Sequence, residues 1–166
     1  MKALPISLFC LLCGMLIIAC VNPPDYPDTP VIEYLSINKP QVRQGIASLP
    51  NDTLSIVFSF TDGDGDLSIQ DSTDVFLYDS RFPSIATQYK LPTIPEDGTG
   101  NGIRGEITIN IQSANTGICC IENGFPCPSN PQNAIDTFSY EIQIRDRAGN
   151  LSNRIRTETI DIICRL

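Results

Sequence analysis

The chain has 166 residues, 42% of them hydrophobic, and sets 19 acidic against 11 basic side chains for a net charge of −8, with no histidine and no tryptophan. That charge argues against nucleic acid and an anionic membrane surface as main partners. Without histidine the commonest general base and the commonest zinc ligand are missing, and the Ser/His/Asp triad with them.

The first element is Lys2 followed by an apolar run from Ala3 to Ile18 and the small residue Ala19. A basic start, a short apolar segment and a small residue before the cut make a secretory signal and not a domain. The run is short for a membrane span, which wants about 20 apolar residues. In Leu16-Ile17-Ile18-Ala19-Cys20 a cysteine directly follows the small residue, and this order resembles the signal of a bacterial lipoprotein. The resemblance implies that residues 1–19 are cleaved. Cys20 then takes a diacylglyceryl group and holds the chain by lipid in the outer membrane, at the periplasmic face or the cell surface. Val21, where an Asp would retain the protein elsewhere, fits that sorting. Two or three acyl chains, at about 0.8 kcal/mol per buried CH₂, give lasting attachment. An ordinary secretory signal with an incidental Cys20 is the blander alternative.

Loss of residues 1–19 leaves 147 residues and, with Lys2 gone, a net charge of −9. That is one domain and a tether, long enough to bury a real core. Residues 20–30 carry four prolines and read as an extended, semi-rigid spacer, since proline supports neither helix nor a sheet ladder. The domain is expected over 31–166.

Seven short β-type runs follow. Val31–Asn38 is the first. In Thr53–Thr61, Leu54, Ile56, Phe58 and Phe60 alternate with Ser55, Val57 and Ser59, which makes one face wholly apolar. Asp74–Tyr78 opposes Val75 and Leu77 to Phe76 and Tyr78, and Ile85–Leu91 is a weaker run. Gly105–Ile111 alternates Ile107, Ile109 and Ile111 with polar residues. Thr137–Arg145 points Phe138, Tyr140, Ile142 and Ile144 inward, and Arg154–Cys164 places Ile160, Ile162 and Cys164 on one face. No sustained helical period is present. Short strands at regular spacing, with Gly, Pro, Asn and Asp turns, indicate an all-β fold, a single antiparallel β-sandwich of about seven strands. Pro92–Gly102 is a glycine-rich loop, and residues 115–133 form a loop long enough to suggest function.

Cys119, Cys120, Cys127 and Cys164 are an even set in an exported chain and read as two disulfides. A bridge between the adjacent Cys119 and Cys120 is strained. The alternatives are Cys119–Cys127 with Cys120–Cys164, or Cys120–Cys127 with Cys119–Cys164. A Cys₄ metal site lacks its CxxC pairs.

Thr61-Asp62-Gly63-Asp64-Gly65-Asp66-Leu67-Ser68 sets three carboxylates at alternate positions. Calcium takes six to eight oxygens at about 2.3–2.6 Å, and a tight acidic loop supplies several. The loop begins like an EF-hand, but Leu67 stands where the turn glycine belongs and Thr73 where the bidentate Glu belongs. An EF-hand is therefore excluded, and a calcium loop of a β-domain is not. If the final hairpin turn lies at the same end of the sandwich, Asp146 joins Asp62, Asp64 and Asp66 at one Ca²⁺. The blander reading is a polar turn in which the glycines supply backbone angles.

Asp146-Arg147-Ala148-Gly149-Asn150-Leu151-Ser152, between the last two expected strands, resembles the penultimate turn of bacterial immunoglobulin-like and cadherin-like modules. Phe60-Thr61-Asp62-Gly63-Asp64-Gly65-Asp66 resembles a recurrent segment of small outer-membrane lipoproteins from Bacteroidetes-type bacteria. These resemblances imply an immunoglobulin-like sandwich in an envelope lipoprotein. Asn51-Asp52-Thr53-Leu54 and Asp71-Ser72-Thr73 also resemble short O-glycosylation sites of such bacteria, although Thr53 has reason enough as the opening residue of a strand.

No G-x-S-x-G elbow and no tryptophan platform beside paired carboxylates is present, so no enzyme is expected. The expected function is a non-catalytic binding or scaffolding subunit with an outer-membrane protein partner, docking through a strand edge or the 115–133 loop. The alternative is a glycan-binding accessory lipoprotein of a nutrient-uptake system, for which Tyr78, Phe82 and Tyr89 are the candidate aromatics. Core or edge packing is the plainer role for all three.

Overall fold

A computed structural model describes residues 25–45, 52–68, 73–84, 86–92, 94, 102–113, 118–128 and 132–165. The expected signal, Cys20 and the first part of the expected spacer lie outside these residues, as do Asp71, Ser72 and most of the Pro92–Gly102 loop. The described residues form twelve strands: β1 (Val31–Ile37), β2 (Gln41–Arg43), β3 (Thr53–Asp62), β4 (Val75–Asp79), β5 (Ala86–Tyr89), β6 (Ile103–Gln112), β7 (Ile121–Glu122), β8 (Phe125–Pro126), β9 (Ile135–Phe138), β10 (Tyr140–Ile144), β11 (Ile155–Arg156) and β12 (Ile160–Ile163).

They assemble as β1-β3-β6, β11-β10-β4-β5 and β2-β12-β9, with β7-β8 a separate hairpin. Every pairing is antiparallel except β2 with β12. The fold is all-β and sandwich-like. A continuous buried cluster draws on all three larger sheets: Leu54, Ile56, Phe58 and Phe60 from β3, Val75 and Leu77 from β4, Tyr140, Ile142 and Ile144 from β10, and Ile160 and Ile162 from β12. These are the inward rows read from the period-2 pattern, and β3 alternates along its whole length.

Two expected strands are each divided. The Thr137–Arg145 run breaks at Ser139, whose backbone N–H donates to Ser80 Oγ (3.0 Å) while its carbonyl accepts from Ser80 N–H (2.9 Å). The two halves then belong to different sheets, β9 to one and β10 to the other. The Arg154–Cys164 run breaks at Thr157, whose Oγ1 accepts the Tyr140 N–H at 3.0 Å. Its halves separate in the same way, so the chain switches sheets twice in its last thirty residues.

The edge strand β1 carries a bulge between Tyr34 and Ser36 that leaves Leu35 exposed. Its outer edge is closed in part by Asn153, which accepts the Ile32 N–H through Oδ1 and donates to the Ile32 carbonyl through Nδ2, both at 2.8 Å. One side-chain amide here does what a neighbouring strand would do.

The disulfides are Cys119–Cys127, with Cα atoms 4.9 Å apart, and Cys120–Cys164, at 5.8 Å. The second closes a loop of 44 residues against 8 for the first. Loop-closure entropy makes it worth about 4 kcal/mol and the short one about 2.5 kcal/mol. Gln44, buried between the strands, donates through Nε2 to the Cys164 carbonyl (2.8 Å) and accepts the Cys120 N–H (3.4 Å). Arg81 holds the same region from the other side. Its guanidinium grips Asp79 and Asp136, donates to the Cys119 carbonyl at 3.0 Å and lies over the Phe138 ring.

Candidate metal centre

The inward row of β3 does not stop at Phe60. It continues to Asp62, which is fully buried. The inward row of β10 likewise runs Tyr140, Ile142, Ile144 and on to Asp146, also fully buried. Period 2 thus carries a carboxylate from each of two sheets to the same end of the core. Leu67, fully buried, pairs across a β-bridge with Asp146 and brings the 62–68 loop against the 145–151 turn.

Backbone bonds lock the two loops. Arg147 N–H donates to the Asp66 carbonyl (3.3 Å), and Ala148 N–H donates to Asp66 Oδ2 (3.0 Å). The Arg147 guanidinium donates to the Ser68 carbonyl at 3.0 Å. Asp146 Oδ1 and Oδ2 accept the Asn150 N–H (2.7 Å) and Nδ2 (2.8 Å). What remains is informative. Both carboxylate oxygens of Asp62, and Oδ1 of Asp66, are buried without a well-formed hydrogen bond; the Asp66 N–H approaches Asp62 closely enough only for a minor lowering of its carboxyl. Asp62, Asp66 and Asp146 each offer an oxygen, and these oxygens lie within 4.8 Å of one another.

Of the four carboxylates expected at one ion, the structure brings Asp62, Asp66 and Asp146 together. Asp64 stands exposed at the tip of the loop, outside this group. Its charge still reaches the site. Burial first, then the charges of Asp64, Asp66 and Asp146, push the Asp62 carboxyl up to about 7. Burial, then Asp146 and Asp64, also raise Asp66. Asp62, fully buried beside two other carboxylates, resists ionisation, because an unpaired buried charge costs several kcal/mol. The donor set is all oxygen, which suits a hard divalent cation and not a soft one.

Two glycines shape the loop from outside. A Cβ at Gly63 would lie 2.2 Å from the Tyr26 carbonyl oxygen, and Gly63 N–H donates to the Pro27 carbonyl at 2.8 Å. Gly102 has φ +64, and a Cβ there would meet the Asp62 carbonyl at 2.8 Å. Residues 26 and 27 of the expected spacer therefore lie against the loop that carries Asp62. The candidate aromatics do not gather. Arg154 stacks on Tyr78 with its guanidinium carbon 4.1 Å from the ring centroid, Tyr89 packs against the core, and Phe82 is exposed in the turn after β4.

The chain matches no protein-family model, no curated protein and no solved structure.

The raised Asp62 carboxyl gives a signed pH dependence for the metal-free protein. Between its ordinary value of 3.8 and about 7 the folded state holds a proton that the unfolded state has released. That stability is present below the unfolded value and lost as pH rises through the folded one. In chelator, the melting temperature should fall between about pH 5 and about pH 8, and Asp62→Asn should remove most of the slope. Thermal unfolding followed by circular dichroism checks this, and a flat or rising profile for the wild type would contradict it.

Proposed function

We propose that this protein is a non-catalytic, lipid-anchored binding module of the bacterial outer membrane, an immunoglobulin-like sandwich clamped at one end by Ca²⁺. The observation that carries the ion is the Asp62 carboxylate, fully buried with neither oxygen in a well-formed hydrogen bond, facing Asp66 and Asp146. Calcium bound there satisfies these oxygens, cancels the repulsion among the acidic groups and ties the end of β3 to the turn after β10. Further oxygens come from backbone carbonyls and water, as calcium sites commonly arrange. The role is structural. The carboxylates close the end of a core and do not line a cleft in which a substrate would lie.

Anchoring rests on the signal-like order of residues 2–19 followed by Cys20. The immunoglobulin-like reading is supported by the 146–152 turn between β10 and β11, which bridges to Leu67 in the loop after β3. A protein partner in the outer membrane fits a tethered module that has no reactive constellation of its own.

Two measurements test this. At free calcium about one hundred times Kd, the ion contributes about 2.7 kcal/mol. In a domain of this size that raises the melting temperature by on the order of 10 °C. Chelator should reverse the rise, Asp62→Asn and Asp146→Asn should abolish it, and Asp64→Asn should leave most of it. A melt indifferent to calcium would remove the ion. For the anchor, metabolic labelling with a radioactive fatty acid should mark the wild type and not Cys20→Ser. An unlabelled wild type would remove the lipid.

A further inference from the structure

The end of the expected spacer is seated on the acidic loop. Residues 25–29 run over the surface, with Tyr26 half-buried and Asp25, Pro27, Asp28 and Thr29 exposed. Among the described residues, one hydrogen bond ties this stretch to the domain, from Gly63 N–H to the Pro27 carbonyl at 2.8 Å. The rest of the seat is backbone without side chains. A Cβ at Gly63 would collide with the Tyr26 carbonyl oxygen and lie 2.9 Å from the Pro27 carbonyl oxygen. A Cβ at Gly102 would lie 3.0 Å from the Tyr26 ring. Glycine at both positions permits this close approach.

The donor of the one bond belongs to the peptide unit that follows Asp62. A peptide unit is planar, so the Asp62 carbonyl and the Gly63 N–H turn together. The carbonyl lies against Gly102, 2.8 Å from where a Cβ there would stand, and the N–H faces Pro27. The Cα of Asp62 also carries the fully buried carboxylate that faces Asp66 and Asp146. One residue therefore presents its side chain to the acidic site and its peptide to the spacer.

Charge decides how firmly that residue is held. Carboxylates whose oxygens lie within 4.8 Å of one another repel, and an outward swing of the 62–66 loop relieves the repulsion. The same swing carries the Gly63 N–H away from Pro27. A cation on the three carboxylates removes the repulsion and holds the peptide where the spacer meets it. Residues 25–29 have little else to keep them docked, and surface stretches with few contacts open most readily.

We propose that the acidic site is a calcium-dependent latch for the spacer: ion held by Asp62, Asp66 and Asp146 docks residues 25–29 against Gly63 and Gly102, and loss of the ion frees them. This rests on the calcium reading above and adds a moving part to it. Coupling between two sites is reciprocal, so docking of the segment tightens ion binding by the same factor. In a chain anchored at Cys20, release lengthens the free tether from residues 20–26 to residues 20–31, or from about 20 Å to about 40 Å at full extension.

The test is NMR relaxation of the backbone amides in the mature full chain, in detergent at neutral pH, with saturating calcium and with chelator. Calcium affinity is measured beside it by equilibrium dialysis. In calcium the amides of Tyr26, Asp28 and Thr29 should reach order parameters of about 0.85, and in chelator they should fall below about 0.6. Gly63→Ala reads the reverse direction. Gly63 does not have a positive φ, so alanine suits the loop's own backbone, and its Cβ meets the docked segment. This variant should leave the three amides mobile at both calcium levels and bind its ion about tenfold more weakly. Order parameters that calcium does not move, in a wild type that binds the ion, would overturn the latch and leave the ion site standing. A Gly63→Ala affinity equal to that of the wild type would do the same. A wild type that binds no calcium would remove both, and the relaxation of the wild type decides the matter without the variant.

Discussion

A carboxylate at the end of a core-facing row is the constraint around which this molecule is arranged. Asp62 follows Phe60 on the inward side of β3 and arrives in the interior with neither oxygen in a well-formed hydrogen bond. Desolvating an ionised carboxylate costs several kcal/mol, so the group must hold a proton or face a cation. Asp66 and Asp146 bring more negative charge to the same point, which raises the Asp62 carboxyl further and strengthens the demand for a proton or a cation alike. Hydrogen bonds and a β-bridge between the 62–68 and 145–151 loops hold the carboxylates at one place.

The opposite demand, tying the chain's late strands to its middle, is met covalently. Cys120–Cys164 links the segment before β7 to the end of β12, and Gln44 beside β2 bonds to both cysteines' backbones. The two clamps differ in kind. The disulfide is fixed once formed, whereas the acidic end carries a carboxyl whose ionisation responds to pH. The spacer is drawn into this arrangement, because Pro27 is bonded to Gly63 between two of the acidic residues. Tyr26 and Pro27 of the proline-rich segment and the acidic loop are consequently neighbours.

Most of the strands were legible in the sequence because period-2 alternation with one apolar face is a strong signal. The rows of β3, β4, β6 and β10 follow it closely. What escaped has physical reasons. Gln41–Arg43 is three residues long, too short to show a period, and β7-β8 is a hairpin of two-residue strands made possible by its cysteines. The breaks at Ser139 and Thr157 depend on side-chain bonds to distant residues that no local pattern reveals. The disulfide pairing was open between two alternatives and needed the third dimension. For the acidic site, the signal was present. Extending the alternation of Leu54 to Phe60 by one step puts Asp62 inside, and extending Tyr140 to Ile144 does the same for Asp146. The same count leaves Asp64 and Asp66 inward as well, but the chain turns after Asp62, which is why Asp64 ends exposed.

The central claim is that the buried carboxylates of Asp62, Asp66 and Asp146 exist to hold a cation. Equilibrium dialysis of the metal-stripped protein against radioactive calcium at neutral pH addresses it without passing through stability. A single ion bound per chain, lost in Asp62→Asn, is the result expected. No bound calcium in the wild type, with the Asp62 carboxyl seen by NMR to titrate near 7 as a buried neutral acid, would contradict it.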